Sequence, residues 1–251
     1  MSAFITIFLI SILFILFLSR LVSRILMKIF GVLVYKILIW PGVIVHEFSH
    51  FIGALITFTP VRGFSLIAKK SDDGEIILGK VTHDDTANPF KQIIISTLPF
   101  FGGALAIWIL AYYLISGFYA SPPIISISTN GVTKYAIDWI TFAKYFVTGI
   151  NFSLWQSWLF LYLAIAISAH LAPSNHDLWY ALGGIVEVIL VGTIIALALN
   201  TTGIIFSSFF VLWAIYLSSS IITIFAYIIA IQILVTIFAE AILGIKSVVW
   251  R

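Results

Sequence analysis

Val45-His46-Glu47-Phe48-Ser49-His50 lies inside the apolar run 30–58 and follows the pattern H-E-x-x-H. At ~100° per residue, His46 and His50 fall on one helix face one turn apart, within reach of one small divalent ion. Glu47 lies beside them, where a carboxylate can take a proton from a metal-bound water without being a ligand. Zn²⁺ suits two imidazoles and one oxygen ligand, with a fourth position open to water. The stretch therefore predicts one catalytic zinc ion held by His46, His50 and a third ligand from elsewhere, with Glu47 as general base.

A chance match to this pattern is disfavoured by the composition of the chain. Only 9% of its 251 residues are charged, with five His and ten acidic residues in all. Each ionised group in the middle of a membrane helix costs roughly 2.5–3.5 kcal/mol, so such groups are expected to be functional.

The composition also indicates the class of fold. Hydrophobic residues make up 62% of the chain and aromatic residues 16%, which excludes an ordinary soluble domain. We expect a single all-α polytopic membrane domain over residues 1–251, with about six and possibly seven transmembrane helices, in the cell membrane. Cys is absent, so thiolate ligands are excluded. The net charge of +3 is scattered in short segments, and the expected partner is the lipid bilayer rather than nucleic acid.

The expected spans follow the apolar runs. Besides the H-E-x-x-H helix, which is expected to start within 30–37, they are Ala3–Leu18, Ile93–Leu114, Phe152–Leu171, Trp179–Leu199 and Gly203–Leu243, the last long enough for one or two spans. Arg20, Arg24, Lys28 and Lys36 share one helix face by their spacing, which indicates an interfacial or snorkelling helix. Pro41 is expected to kink the H-E-x-x-H helix. Residues 116–151 read as an external loop and interfacial segment.

Residues 59–91 are the one charged stretch, with five basic and five acidic residues. The β-prone runs 63–68 and 75–78 flank an Asp-Gly turn, which predicts a membrane-associated β-hairpin; the alternative is a solvated loop. As a sheet edge near the metal, the hairpin would accept an extended peptide as an added strand, and we expect Phe64, Ser65 and Leu66 to contact substrate.

The third ligand is expected after the Phe152–Leu171 span, where Pro173 breaks the helix. Asp177 is the preferred ligand and His176 its rival, although Asp177 could also be only the N-cap of the next helix. His170 is expected to be structural, near a helix end. Glu187 is expected to support a ligand or pack between helices rather than bind metal.

Two motifs resemble the site-2 protease family of intramembrane metalloproteases. They are His46-Glu47-x-x-His50-Phe51 and Val61-x-Gly63-Phe64-Ser65-Leu66 leading into a hairpin, and a downstream Pro-containing break with an Asp corresponds to Pro173–Asp177. The resemblance implies zinc bound by His46, His50 and Asp177, Glu47 as general base, and a hairpin that helps to hold unwound substrate. Family members commonly carry Leu-Asp-Gly at the third ligand, whereas this chain has His176-Asp177-Leu178.

The expected function is zinc-dependent intramembrane endopeptidase, a hydrolase that cleaves transmembrane segments of substrate proteins in regulated intramembrane proteolysis. One alternative is a metal-binding membrane transporter or inactive metalloprotease-like protein, against which Glu47 argues, because a pure binding site needs no general base. Another is a membrane metalloprotease of the prenyl-protein-processing type, in which Glu187 would be the third ligand.

Overall fold

The structure is a computed structural model that is mostly helical, with a small antiparallel sheet region. It describes residues 2–66, 69–70, 76–77, 79–84, 88–115, 148, 150–172, 225 and 228–244. The helices are α1 (Ser2–Leu38), α2 (Trp40–Ile56), α3 (Pro89–Leu114), α4 (Trp155–Ala169) and α5 (Ile228–Gly244). The strands are β1 (Val61–Ser65), β2 (Lys69–Lys70), β3 (Ile76–Ile77) and β4 (Lys80–His83).

Two compact units divide the chain. One contains Met1–Gly42, Gly103–Ala172 and Ile215–Arg251, and the other contains Val43–Gly102 and Pro173–Ala214. The predicted hairpin and H-E-x-x-H motif both belong to the second unit. The prediction of a single membrane domain stays a prediction.

In the first unit, α1 continues through the position where the sequence predicted the end of a first span. Its regular backbone is interrupted at Gly31, where φ is 76° and ψ is 162°, values that a residue with a side chain rarely adopts. A buried stripe at helical spacing faces the rest of the unit and comprises Ile15, Leu18, Ser19, Val22 and Leu26. Arg20, Arg24 and Lys28 are exposed, as their four-residue spacing predicted.

The stripe on α1 is joined to α4 by hydrogen bonds at small polar residues. The Ser23 hydroxyl donates to the Ala169 carbonyl at 2.5 Å, and the Ala172 amide donates to the Ser19 hydroxyl at 3.1 Å. From α5, the Gln232 side-chain amide donates to the Ser168 carbonyl at 3.2 Å. The Ser23 bond satisfies the Ala169 carbonyl at the end of α4. The Gln232 bond gives the Ser168 carbonyl a second donor beside the Leu171 amide.

Helix α2 carries the H-E-x-x-H motif, and its start differs from the sequence prediction. It begins at Trp40, after a turn at Ile39, so Pro41 stands in the first turn rather than producing an internal kink. A missing N–H costs nothing there, because the first helical amides have no intrahelical acceptor. The helix ends at Ile56.

The strands confirm the predicted hairpin region and extend it. Strand β1 pairs with β4, matching Phe64 to Val81 and Ser65 to Lys80, while β2 pairs with β3. The pairing therefore reaches beyond the predicted run 75–78, to His83. An irregularity lies between Val61 and Gly63. The Asp-Gly turn lies outside the described residues.

Helix α3 starts with a cap that its sequence encodes. The Asn88 side chain accepts hydrogen bonds from the amides of Phe90 at 3.0 Å and Lys91 at 3.4 Å, and Pro89 occupies the first helical position. Within the described ranges, Phe90–Leu114 is the one helix long and apolar enough to cross a membrane, and α4 and α5 are shorter apolar helices. The six spans expected from the sequence stay a prediction.

Inside the second unit, α2 and α3 approach closely at two glycines. A Cβ on Gly53 would lie 3.0 Å from the Ile95 Cα, and a Cβ on Gly102 would collide with the Ser49 hydroxyl. Gly53 of α2 thus lies opposite Ile95 of α3, and Ser49, earlier in α2, lies opposite Gly102, later in α3. The two segments therefore run antiparallel. Gly102 therefore serves packing, and the arrangement brings the backbone of α3 to His50 of α2.

Candidate metal centre

The two histidines of the motif are buried side by side on α2. His46 is 8% exposed and His50 is 9% exposed, and their ring centroids lie 4.9 Å apart with the planes at 79°. Two imidazoles that bind one zinc ion tetrahedrally through nitrogens at ~2.1 Å have centroids about 5 Å apart. The spacing of the pair therefore fits a shared divalent ion, as the i, i+4 pattern predicted.

The His50 ring is oriented by the backbone of α3. Its Nδ1 lies 2.9 Å from the Ile95 carbonyl oxygen, in a buried hydrogen bond between residues 45 positions apart in sequence. A carbonyl can only accept, so Nδ1 carries the proton and the neutral ring has its lone pair on Nε2. A metal-binding histidine usually makes this kind of bond through its other nitrogen.

Glu47 lies half-buried beside the histidines and contacts the hairpin. Its Oε2 accepts a hydrogen bond from the backbone N–H of Val81 in β4 at 3.0 Å. Because Val81 donates to Glu47, its N–H points away from β1, and Phe64 and Val81 form a pair without mutual hydrogen bonds. The outer edge of β4 is thus the strand edge that faces the predicted general base.

Gly79 permits this close approach of the hairpin to α2. A Cβ at this position would lie 2.8 Å from the Glu47 Cγ and 3.0 Å from the Val43 Cγ1. Both distances are shorter than ordinary carbon–carbon contacts, so a side chain here would push the strand and the helix apart. Glycine at position 79 is therefore part of the arrangement that brings Val81 to Glu47.

The predicted substrate-contacting residues lie on β1 and just beyond it. The centroid of the Phe64 ring lies 5.1 Å from the centroid of the Phe51 ring of α2. The Phe64 side chain is 42% exposed. By the alternation of an antiparallel pair, the Phe64 backbone N–H points to the edge of β1 opposite β4. Ser65 and Leu66 follow it, and contact of all three residues with substrate stays a prediction.

The three residues considered for the third ligand, Asp177, His176 and Glu187, lie outside the described residues. Among the residues that the structure describes, no group of three His, Cys, Asp or Glu side chains is arranged to hold a metal. His170 is the C-cap of α4 and its amide bonds within that helix, which confirms its predicted place at a helix end. The described residues thus supply two candidate ligands and the candidate base.

One ion pair holds the open end of the hairpin. Arg62 donates from Nε and Nη2 to both carboxylate oxygens of Asp84, at 2.6 and 2.8 Å. The hydrogen bond from Arg62, with the positive charges of Arg62 and His83, holds the pKa of Asp84 below its ordinary value. Both residues lie outside the apolar helices, so this electrostatic contact belongs to the hairpin.

Three contributors to the site were not found by sequence reasoning: the amide of Val81, the carbonyl of Ile95 and the glycine at position 79. The first two are backbone groups, which every residue type carries, so no residue pattern marks them. No family model, curated protein or solved structure matches the chain.

Proposed function

We propose that the chain is a zinc-dependent endopeptidase that hydrolyses peptide bonds within transmembrane segments of other proteins, like the site-2 proteases that its motifs resemble. The observation that carries the proposal is the contact between Glu47 and Val81. This contact joins the candidate base, which stands beside the two candidate metal ligands on α2, to a strand edge that could pair with an extended peptide.

In this proposal, His46 and His50 hold the ion through their ring nitrogens, with Asp177 as the third ligand. A bound zinc ion would polarise the scissile carbonyl and lower the pKa of water toward ~7. His50 is already oriented for this role by its Nδ1 bond to Ile95.

Glu47 is the proposed general base. Its carboxylate takes a proton from the attacking water as the oxygen bonds to the scissile carbon, and it then gives that proton to the leaving amine nitrogen as the C–N bond breaks. The Val81 amide donates to Oε2 of this carboxylate. The strand thereby orients the proposed base.

Substrate recognition follows from the backbone requirements of a membrane helix. The carbonyls of a transmembrane helix are already hydrogen-bonded, so a substrate must unwind locally before attack, and each unpaired group costs free energy in lipid. Pairing of the unwound segment with an edge of the β1–β4 hairpin offsets this cost. The edge of β4 is the nearer to Glu47, and the edge at Phe64, Ser65 and Leu66 is the one that the sequence predicts to contact substrate.

The proposed setting is a multi-pass protein of the cell membrane. In support, α3 has the length and apolar character of a span, and large apolar side chains stand exposed on α1, α2 and α3, among them Leu33, Leu55 and Tyr113. Exposed apolar surface on this scale is costly in water and favourable in lipid.

Purified full-length protein, reconstituted in lipid and incubated with a transmembrane-segment substrate, tests the proposal. Glu47→Gln keeps an oxygen for the Val81 amide but cannot accept the proton, so we expect bound zinc at wild-type stoichiometry and cleavage reduced at least a hundredfold. Glu240→Gln is the matched control, because Glu240 is an exposed acid on α5, and it should cleave normally.

The other outcomes separate the alternatives. Zinc bound equally by wild type and Glu47→Gln, with no cleavage by either, would favour a metal-binding transporter or inactive relative. Loss of zinc in Glu187→Ala but not in Asp177→Ala would favour the prenyl-protein-processing type. Absence of bound zinc in the wild type would refute the proposed metal site.

A further inference from the structure

Pro99 lies inside α3 and alters the hydrogen bonding of the preceding turn. In a regular helix, the carbonyl of Ile95 would accept from the N–H of residue 99. Proline has no N–H, so this helical bond is missing. The carbonyl that lacks it is the one that accepts from Nδ1 of His50 at 2.9 Å.

The surroundings of this bond make the missing helical partner consequential. Ile95 is 2% exposed and His50 is 9% exposed, so water has little access to replace a lost hydrogen bond. A carbonyl with no partner would cost about 1–3 kcal/mol in such a place. Gly53, one turn from His50 on α2, lets the helix backbones approach closely enough for the imidazole to reach the carbonyl.

We propose that Pro99 is a positioning residue for the metal site. Because proline has no N–H, the Ile95 carbonyl lacks its helical donor from position 99 and accepts from His50 instead. The bond holds the proton on Nδ1 and so places the lone pair on Nε2, the nitrogen that would bind the ion. The part of the proposal that concerns metal affinity rests on the proposed function, whereas the part that concerns the His50 tautomer does not.

A proline in a membrane helix is ordinarily explained by a kink that serves packing. The two explanations differ in what they predict. Packing alone predicts that removal of Pro99 changes stability and leaves the ring proton of His50 where it is. Our proposal predicts that the tautomer changes as well, because an amide at position 99 would form the helical bond to the Ile95 carbonyl and weaken the bond of that carbonyl to His50.

The variant Pro99→Ala introduces an amide N–H at position 99. Pro89→Ala is the matched control, because Pro89 is the first residue of the same helix and an N–H there has no helical carbonyl to bond. Nitrogen NMR of metal-free protein with ¹⁵N-labelled histidine, at a pH where imidazole is neutral, reports which ring nitrogen holds the proton. Signals of His50 are assigned by their absence in His50→Asn.

We expect His50 to be the Nδ1–H tautomer in wild type and Pro89→Ala, and to acquire a substantial Nε2–H population in Pro99→Ala. Affinity for Zn²⁺, or for Co²⁺ followed by its visible absorption, should fall about tenfold or more in Pro99→Ala alone, the usual loss when support of a ligating histidine is removed. An unchanged tautomer in Pro99→Ala, or equal loss of metal affinity in both variants, would overturn the proposal.

A backbone variant removes the remaining ambiguity. Lactic acid in place of residue 99 gives an ester with the methyl side chain of alanine but no N–H, so it should restore the wild-type tautomer and metal affinity. If it behaves like Pro99→Ala, the ring geometry of proline matters rather than the missing donor, and the proposal is wrong. If wild type binds no zinc although the tautomer responds as expected, the proposed function fails and the role of Pro99 in orienting His50 stands.

Discussion

The carboxylate of Glu47 accepts a hydrogen bond at 3.0 Å from the backbone amide of Val81, which lies 34 residues further along the chain. A backbone donor has no side-chain torsions, so it orients a carboxylate at little entropic cost. The predicted general base is therefore oriented by the hairpin as well as by its own helix.

Removal of the Val81 donor should reduce turnover. Val81→Pro deletes the amide that bonds Glu47 while sparing the β1–β4 ladder, because this amide points away from β1. We expect kcat to fall about tenfold or more, since small errors in the position of a catalytic group are costly, with KM little changed. Steady-state cleavage kinetics provide the measurement.

The matched variant is Phe64→Pro, which deletes the amide of the paired residue on the opposite edge. It should leave kcat near wild type. If substrate pairs with β1, as the predicted substrate contact of Phe64, Ser65 and Leu66 implies, it should also raise KM. Equal effects of both variants on kcat would contradict the assignment of Val81 to orientation of Glu47.

Gly79→Ala should displace the hairpin from α2. The added Cβ would lie 2.8 Å from Glu47 and 3.0 Å from Val43, and relief of such overpacking costs about 1–3 kcal/mol. We expect cleavage to fall more than tenfold, measured beside thermal unfolding in detergent. Gly63→Ala, whose Cβ would meet Thr82 no closer than 3.7 Å, is the control and should retain activity; similar loss in both would argue against a specific role for Gly79.

Contact between α2 and α3 should depend on Ser49 and Gly102 together. Gly102→Ala places a methyl group against the Ser49 hydroxyl, so we expect destabilisation of about 1–3 kcal/mol. Adding Ser49→Ala should recover part of that loss, giving a favourable coupling of about 1 kcal/mol in a double-mutant cycle. Gly244→Ala, with no atom within 4 Å of its Cβ, should not destabilise. Additive effects of the two changes would exclude this contact.

Replacement of Phe58 should stabilise the protein. Phe58 follows α2 and has a φ of 52°. The amides of Phe58 and Thr59 donate to the carbonyls of Leu55 and Ala54, respectively, as in a Schellman motif. The residue with positive φ in this motif is usually Gly or Asn. Its side chain is 90% exposed, so little packing is lost. Phe58→Asn should raise the free energy of unfolding by about 1 kcal/mol, whereas Phe48→Asn, within α2, should not. A lower unfolding temperature for Phe58→Asn would indicate that the ring is anchored.

Acid should weaken the Arg62–Asp84 contact. Arg62 lowers the pKa of Asp84 in the folded state. Asp84 therefore binds a proton less readily there than in the unfolded chain, where its pKa has the ordinary value near 3.8. The pair therefore contributes stability above that value and loses it as the pH falls through the lower folded pKa. Unfolding temperatures of wild type and Asp84→Asn should differ at pH 6 and converge in strong acid or high salt, because the pair is exposed. A difference that persists in strong acid would exclude charge as its origin.

Some of this protein was predictable because it depends on chain neighbours alone. His46, Glu47 and His50 share one turn, and Arg20, Arg24 and Lys28 share one exposed face, because helical geometry relates residues a few positions apart. The hairpin was also predicted, although the length of its arms was not, since two short β-prone runs do not reveal how far the pairing extends.

Sequence by itself thus determined which side chains could form the centre, and Asp177 remains its prediction for the third ligand. Tertiary structure decided how those side chains are held. The amide of Val81 orients Glu47 and the carbonyl of Ile95 orients His50, over separations of 34 and 45 residues. Such partners are backbone atoms common to every residue, and packing at Gly79, Gly53 and Gly102 selects which of them come within hydrogen-bonding distance.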